Sequence, residues 1–507
     1  MALRSTSPRT LSLSLVSLIV AGAALGCAVQ VEVPPGSSGG TVGSGGTVGS
    51  GGSVSPMGGG SVAGGGPSGG AVGSGGGAVA GGGPGSGGQT ASGGADAAGG
   101  NDAAGGAPGA GGGSPGAINW GKEEDPSAGC PVTATLPEYA ALTADGKLPD
   151  PFKKLDGTRI TTKAEWACRR AELVKQLAKY IYGEKPIPPK ESVSGTVSAS
   201  MITVKVTGGK KDASFSVSVK MNGATGPAPA IISYGAGASA PSGVAQITFQ
   251  AIEGQGGSGP KNGPFFDYYG SDHPAGYMVA QAWQISRIID VLEQDPSVID
   301  PQRIGLTGCS RNGKGAFAGG ALDNRVALTI PCESGMGGTV GLRLKDQLDP
   351  GSNDKAEWPY HAISYVRWLS EVALGPFATA NDSAGDNTDK LPVDMHEMMA
   401  LIAPRALYIV DNPSITNLDP KSAYVTAMAG KAIFEALGVG DHFAYQGAGG
   451  SHCMWRSQYT PSLNAMVDRF LLGKESTETG NFDTDLSGKP DPTQYFTWDA
   501  SELSGEL

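Results

Sequence analysis

The chain has 507 residues, 36 Lys and Arg against 47 Asp and Glu, and a formal net charge of −11. With a pI near 5.0 and no basic patch interleaved with aromatics, nucleic acid is excluded as a partner. The length allows one large domain or two small ones, and no C-x-x-C pair suggests a zinc site.

Met1 to Gly26 reads as a secretory signal, with Arg4 and Arg9 ahead of an apolar run from Leu11 to Leu25. That run is shorter than the ~20 residues a spanning helix needs. It ends at Cys27 after a small residue, as in a bacterial lipoprotein cleavage box. Lipidation at Cys27 and plain secretion both fit. Residues 27–117 hold repeats of Gly-Gly-Thr-Val-Gly-Ser with few charges. Such a segment buries too little apolar surface to offset its ordering entropy, so a disordered linker of roughly 50 Å r.m.s. span is expected. Residues 118–507 then form one domain, because no second low-complexity break interrupts them.

Within that domain Thr162-Lys-Ala-Glu165 is a capping-box pattern, and Trp166–Tyr182 carries helical periodicity. Ser192–Val206 and Ala213–Met221 alternate as a β-hairpin region. Ala228–Tyr234 and Gly243–Phe249 are apolar runs of buried-strand type. Ala280–Glu293 reads as an amphipathic helix with Trp283, Ile288, Val291 and Leu292 on its stripe. Arg303–Thr307 is a strand, and Lys314–Leu322 a small-residue helix that packs closely. Further strands are expected at Val326–Ile330, Ala406–Val410 and His442–Gln446, with a closing helix at Leu463–Leu472. Strands alternating with helices imply an α/β fold, with a mainly parallel sheet covered on both faces. Chemistry then belongs at the carboxyl ends of the strands.

Gly308-Cys-Ser310-Arg-Asn-Gly313 joins such a strand to such a helix. A serine between small residues on this turn is the nucleophile elbow of the α/β-hydrolases, which lifts the hydroxyl above the sheet edge. It also points backbone N–H groups at a developing oxyanion. The usual pattern is G-x-S-x-G; here Asn312 takes the place of the second glycine, so an ordinary Gly/Ser turn is the competing reading. A serine needs a base. Of the five histidines, His452 follows a Gly-rich loop after the last strand, where the Ser–acid–His order places it. His361 and His396 fall in helices, His442 at a strand start, and His273 before Pro274 in a loop. Strand order alone favours Asp411 as the acid.

Gly308-Cys-Ser-Arg-Asn-Gly-Lys314 resembles the nucleophile motif of the glucuronoyl esterases (carbohydrate esterase family 15, α/β-hydrolases). Stretches 157–170, 329–338 and 391–453 are similar to that family as well. The resemblance implies a three-layer α/β-hydrolase sandwich without metal or organic cofactor. Its acid follows the strand after the nucleophile helix in a Glu-Ser-Gly sequence, which is Glu333 here, with Asp411 as alternative or auxiliary acid. It gives Arg311 a role at the oxyanion and Lys314 one at the sugar hydroxyls. Glu357 beside Trp358 is a weaker match for the rest of the sugar site, and Asn417 stands where some members stack a tryptophan. The family's disulfides fall at Cys309–Cys453 and Cys130–Cys168; a further bridge would need a cysteine at Gly341, leaving Cys332 a free thiol. The implied activity is hydrolysis of esters between (4-O-methyl-)glucuronic acid of plant cell-wall glucuronoxylan and lignin alcohols. From the N-terminal signal and Cys27, the protein is expected to be exported to a bacterial cell surface or secreted, touching membrane only through a lipid anchor, and a monomer is expected. An acetyl xylan esterase, an α/β-fold peptidase and a non-catalytic carbohydrate-binding protein are the competing readings.

Overall fold

A computed structural model describes residues 123–249, 259–344, 348, 357–378 and 387–507. The signal-like segment, the Gly-rich linker and Cys27 lie outside the described residues.

A ten-stranded sheet organises the fold, in the order β1-β2-β3-β5-β4-β6-β7-β8-β9-β10. Strands β1 (Val193–Val197), β2 (Met201–Val206) and β3 (Ala213–Lys220) are antiparallel, as their alternating sequences require. β5 (Ala245–Phe249) pairs antiparallel with β3 and parallel with β4 (Ala228–Tyr234). From β4 onward every neighbour is parallel: β6 (Ile299–Cys309), β7 (Val326–Cys332), β8 (Ala406–Asp411), β9 (Phe443–Gly447) and β10 (Phe482–Thr484). All residues of β4, β7, β8 and β9 are buried, as continuous apolar runs covered on both faces should be.

Period-two alternation sorts each strand between two cores. Ala230 and Ile232 face one and Ile231 the other; Leu407 and Ile409 face one, and Tyr408 and Val410 the other. The larger core packs under helices α2 (Pro264–Tyr269), α3 (Tyr277–Gln294), α4 (Arg311–Leu322), α5 (Met395–Ile402) and α6 (Pro420–Ala436). Helix α7 (Thr460–Phe470) covers the smaller core with Leu463, Met466, Val467 and Phe470. α1 (Lys163–Leu177) begins at the expected capping box: Thr162 accepts from the Glu165 N–H, and Glu165 Oε2 accepts from the Thr162 N–H at 3.1 Å. Its continuation, Ala178–Tyr182, widens into a π-turn.

Three expectations are corrected. The helix expected over Ala280–Glu293 forms with its stripe of Trp283, Ile288, Val291 and Leu292 buried, but its polar face is largely covered too: 15 of the 18 residues of α3 are buried. It lies between the sheet and its neighbours, and its Arg287 is neutralised inside by Glu124 and Asp290. The closing helix is not the last element, because the chain returns to add β10 beside β9, a strand of three residues too short to show a pattern. His442 sits in a 3-10 turn before β9, not within it, and pairs with the Pro404 carbonyl at 2.6 Å.

Candidate active site

Three consecutive parallel strands deliver the site. β6 ends at Cys309, β7 at Cys332 and β8 at Asp411, with Ser310, Glu333 and Asp411 at these ends and His452 on the loop after β9. The turn at Ser310 is strained: its φ of +59° and ψ of −128° lie where non-glycine residues are rare. It is held there because the Ser310 N–H donates to the Cys332 carbonyl at 3.0 Å and the Lys314 N–H to the Ser310 carbonyl at 3.1 Å.

The turn also explains why the second glycine is displaced. A Cβ on Gly308 would stand 2.3 Å from the Asn312 carbonyl oxygen, and one on Gly313 would stand 2.5 Å from the Cys332 carbonyl oxygen. The close approach to β7 therefore falls at position 313. Position 312 has room for a side chain, which reaches toward Gly235 at the end of β4.

Glu333 is bonded to His452: Nδ1 and Oε2 are 2.7 Å apart, and the same oxygen accepts from the Cys453 N–H at 2.9 Å. The acid is shielded and the base is not, with side chains 2 % and 40 % exposed. Glu333 (φ +45°) and Cys453 (φ +60°) are, like Ser310, non-glycine residues in the left-handed region, so strain clusters at this one place. A disulfide joins Cys309 to Cys453, with a Cα–Cα distance of 5.7 Å. It ties the residue before Ser310 to the residue after His452. Sulfurs Cys309 and Cys453, a Glu333 oxygen and a His452 nitrogen all lie within 4.8 Å of one another. That group does not suit a metal ion, since both sulfurs are spent in the disulfide and the carboxylate and imidazole are paired together. A second disulfide joins Cys130 to Cys168, and Cys332 is a free, buried thiol that burial pushes up to about 12.

Asp411 does not bond His452 in this arrangement. It is buried, accepting from the Tyr445 hydroxyl at 2.9 Å and the Asn412 N–H at 2.8 Å. Burial, with the nearby Glu333 charge adding to it, raises its pKa from 3.8 to about 6. A carboxyl group whose folded pKa is raised contributes stability that is full below its unfolded pKa and lost as pH rises through the folded one. Between pH 4 and pH 7.5 this single group is expected to cost about 2–3 kcal/mol. Asp411→Asn should remove that loss, so urea midpoints at the two pH values should lie closer together in the variant than in the parent.

Lys314 is not the exposed side chain its position permits. It is fully buried; Nζ donates to the Ser334 carbonyl and to Glu357 Oε2 at 2.7 Å, and burial lowers its pKa. The same Glu357 oxygen accepts from the Met336 N–H, and the Glu357 N–H donates to the Asn417 carbonyl. Lys314 on α4, Glu357 and Asn417 are thus brought together from three separate segments of the chain. Trp358 is half-buried, its ring 5.5 Å from that of His361. The tryptophan under Lys314 is Trp368, with Nζ 4.3 Å from its ring centroid. No motif marks Trp368 in sequence. Arg311 is exposed at the start of α4, near enough for its charge to disfavour protonation of Lys314. The other histidines serve packing: His396 pairs with the Pro149 carbonyl in the interior, and His273 lies against Phe265.

A strained serine on a strand-to-helix turn at the centre of a parallel sheet, with a histidine oriented by a buried carboxylate, defines a serine hydrolase of the α/β-hydrolase class. The family model described as "Glucuronyl esterase, fungi" matches residues 204–438. The chain is 42 % identical over 353 residues to the 4-O-methyl-glucuronoyl methylesterase of Thermothelomyces thermophilus, covering 68 % of this chain and 86 % of that one. It is 38 % identical over 388 residues to the enzyme of the same name from Hypocrea jecorina, covering 74 % and 80 %. Among solved structures, a glucuronoyl esterase mutant from Sporotrichum thermophile in complex with methyl 4-O-methyl-β-D-glucopyranuronate aligns with a TM-score of 0.66 and 37 % identity, covering 72 % of this chain and 96 % of that one. The chain belongs to the glucuronoyl esterase family.

Proposed function

We propose that residues 118–507 form a serine esterase that cleaves the ester between (4-O-methyl-)glucuronic acid on glucuronoxylan and a lignin alcohol. The observation that carries the reading is the 2.7 Å Glu333–His452 pair, tied through Cys453–Cys309 to the turn that presents Ser310. With Nδ1 engaged by Glu333, the imidazole has Nε2 to take the Ser310 proton. Ser310 Oγ attacks the C6 carbonyl of the uronic acid. The oxyanion that forms meets the Arg311 N–H at the positive end of α4 and the Arg311 guanidinium. The intermediate collapses, the ester C–O bond breaks, and His452 returns its proton to the departing alcohol. Water, deprotonated by His452, then attacks the acyl-enzyme and releases the uronic acid and Ser310. Glu333 holds the imidazole tautomer and stabilises the imidazolium without itself taking the proton. Lys314, Glu357 and Trp358 form the sugar side of the site. The reading extends to the chain's export, with the Gly-rich segment as tether and Cys27 as the point of lipid attachment at a bacterial surface, and to a monomeric enzyme.

Methyl 4-O-methyl-glucuronate is expected to be hydrolysed with kcat/KM at least about 100-fold above that for a simple acetyl ester, since discrimination by buried polar contacts reaches such ratios. Equal rates on the two, or acetyl esters alone, would overturn the substrate assignment and leave only a general esterase.

A further inference from the structure

We propose that Arg456 is a positioning residue for this reaction, holding the Glu333 carboxylate and the His452 loop in register with one guanidinium. The inference rests on the assignment of Glu333 and His452 above and goes beyond it. Arg456 Nη1 lies 3.2 Å from Glu333 Oε1, the oxygen His452 does not use. The same side chain donates to three carbonyls that bracket His452: Gly449 at 2.9 Å, Ser451 at 3.2 Å and Met454 at 3.1 Å. It also donates to the Tyr459 hydroxyl at 3.2 Å, which in turn bonds the Ala448 and Asp411 backbone. A Cβ on Gly450 would stand 2.8 Å from both Nε and Nη2, so the loop wraps the guanidinium as closely as backbone allows.

Each oxygen of the buried carboxylate therefore has its own partner, imidazole on one and guanidinium on the other. A planar fork with five donors can do this and an ammonium cannot. The arrangement also sets the local charge. Besides Arg456, the titratable groups around Glu333 are Asp411 at the end of β8, Tyr445 behind it on β9, the Cys332 thiol and Tyr459. These four are neutral or negative; of the cations nearby, Lys314 is tied to the Ser334 carbonyl and Glu357, Arg311 lies at the start of α4, and Arg456 is the one that bonds the Glu333 carboxylate among the described residues. Taking it away removes positive charge from beside the acid and base together, so the imidazolium is favoured and a higher pH is needed to free the base.

The test compares the parent, Arg456→Ala and Arg456→Lys on methyl 4-O-methyl-glucuronate across pH, with a thermal melt of each and Ser310→Ala as the baseline. Arg456→Ala is expected to lower kcat about 100-fold, the cost of a small misplacement of reacting groups, with KM changed less than about threefold. The acid limb of kcat/KM should move to higher pH. Arg456→Lys, which keeps the charge without the fork, should return the limb to the parental position and recover part of kcat. Parental kcat and limb in Arg456→Ala would overturn the proposal. So would equal losses in both variants with an unmoved limb, the signature of a purely structural side chain. If the alanine variant does not fold, Arg456→Gln replaces it with the same two outcomes. Should Ser310→Ala hydrolyse the ester at the parental rate, the underlying assignment of the triad fails, whatever Arg456 does.

Discussion

Ser310→Ala is expected to lower kcat on methyl 4-O-methyl-glucuronate by about 10⁵–10⁶-fold, with KM changed by no more than a few-fold. The hydroxyl forms the covalent bond, while substrate contacts assigned to Lys314, Glu357 and the start of α4 remain. Alanine introduces little change in the fold, because the strained backbone at position 310 is imposed by the Cys332 carbonyl and the following helix rather than by the hydroxyl. His452→Ala should cost about as much, and the double variant no more than either single one, because nucleophile and base act as one unit. Burst-phase and steady-state rates on the purified variants decide the matter. Additive losses in the double variant would mean that Ser310 and His452 do not act in the same step, and near-parental activity in Ser310→Ala would move the nucleophile elsewhere.

Loss of the Cys309–Cys453 disulfide is expected to reduce both stability and catalysis, and its contrast with Cys130–Cys168 separates the two effects. The bridges close segments with sequence separations of 144 and 38 residues. Chain-entropy arguments put their contributions at about 5 and about 4 kcal/mol, close enough that urea midpoints alone scarcely distinguish them. Catalysis should. Cys453 is next to the base and Cys309 next to the nucleophile, whereas Cys168 lies on α1, away from the triad. A Cys309→Ser/Cys453→Ser variant should therefore lose at least about 100-fold in kcat, since small displacements of reacting groups carry such costs. A Cys130→Ser/Cys168→Ser variant should retain parental kcat below its melting transition. Equal kcat in the two variants would show that the bridge by the triad acts on stability alone.

Much of the architecture is legible in the sequence because its signals are local. β4 spans the apolar run Ala228–Tyr234, and α1 starts at the capping box read from Thr162 and Glu165. β7 and β8 fall on the runs that precede Glu333 and Asp411. Elements with weak local signals escape it. β10 is three residues long and forms because β9 offers an open edge, and neighbours cover 15 of the 18 residues of α3.

For the site the division follows the same physics. The sequence alone determined which groups can do chemistry: a serine in a Gly-rich turn, a histidine after a Gly-rich loop, and two candidate acids at strand ends. Their types and spacing constrain backbone geometry within a few residues. Which acid meets the imidazole was decided only by tertiary structure, since Glu333 and Asp411 end neighbouring strands and differ in which side chain reaches His452 and which turns to Tyr445. The same holds for Glu357 meeting Lys314 across 43 residues, for Trp368 lying beneath that ammonium, and for Arg456 reaching Glu333 across 123. A sequence pattern reports the neighbours a residue has along the chain. Pairings between distant loops arise only when the sheet sets those loops side by side and burial makes an unpaired charge too costly to leave.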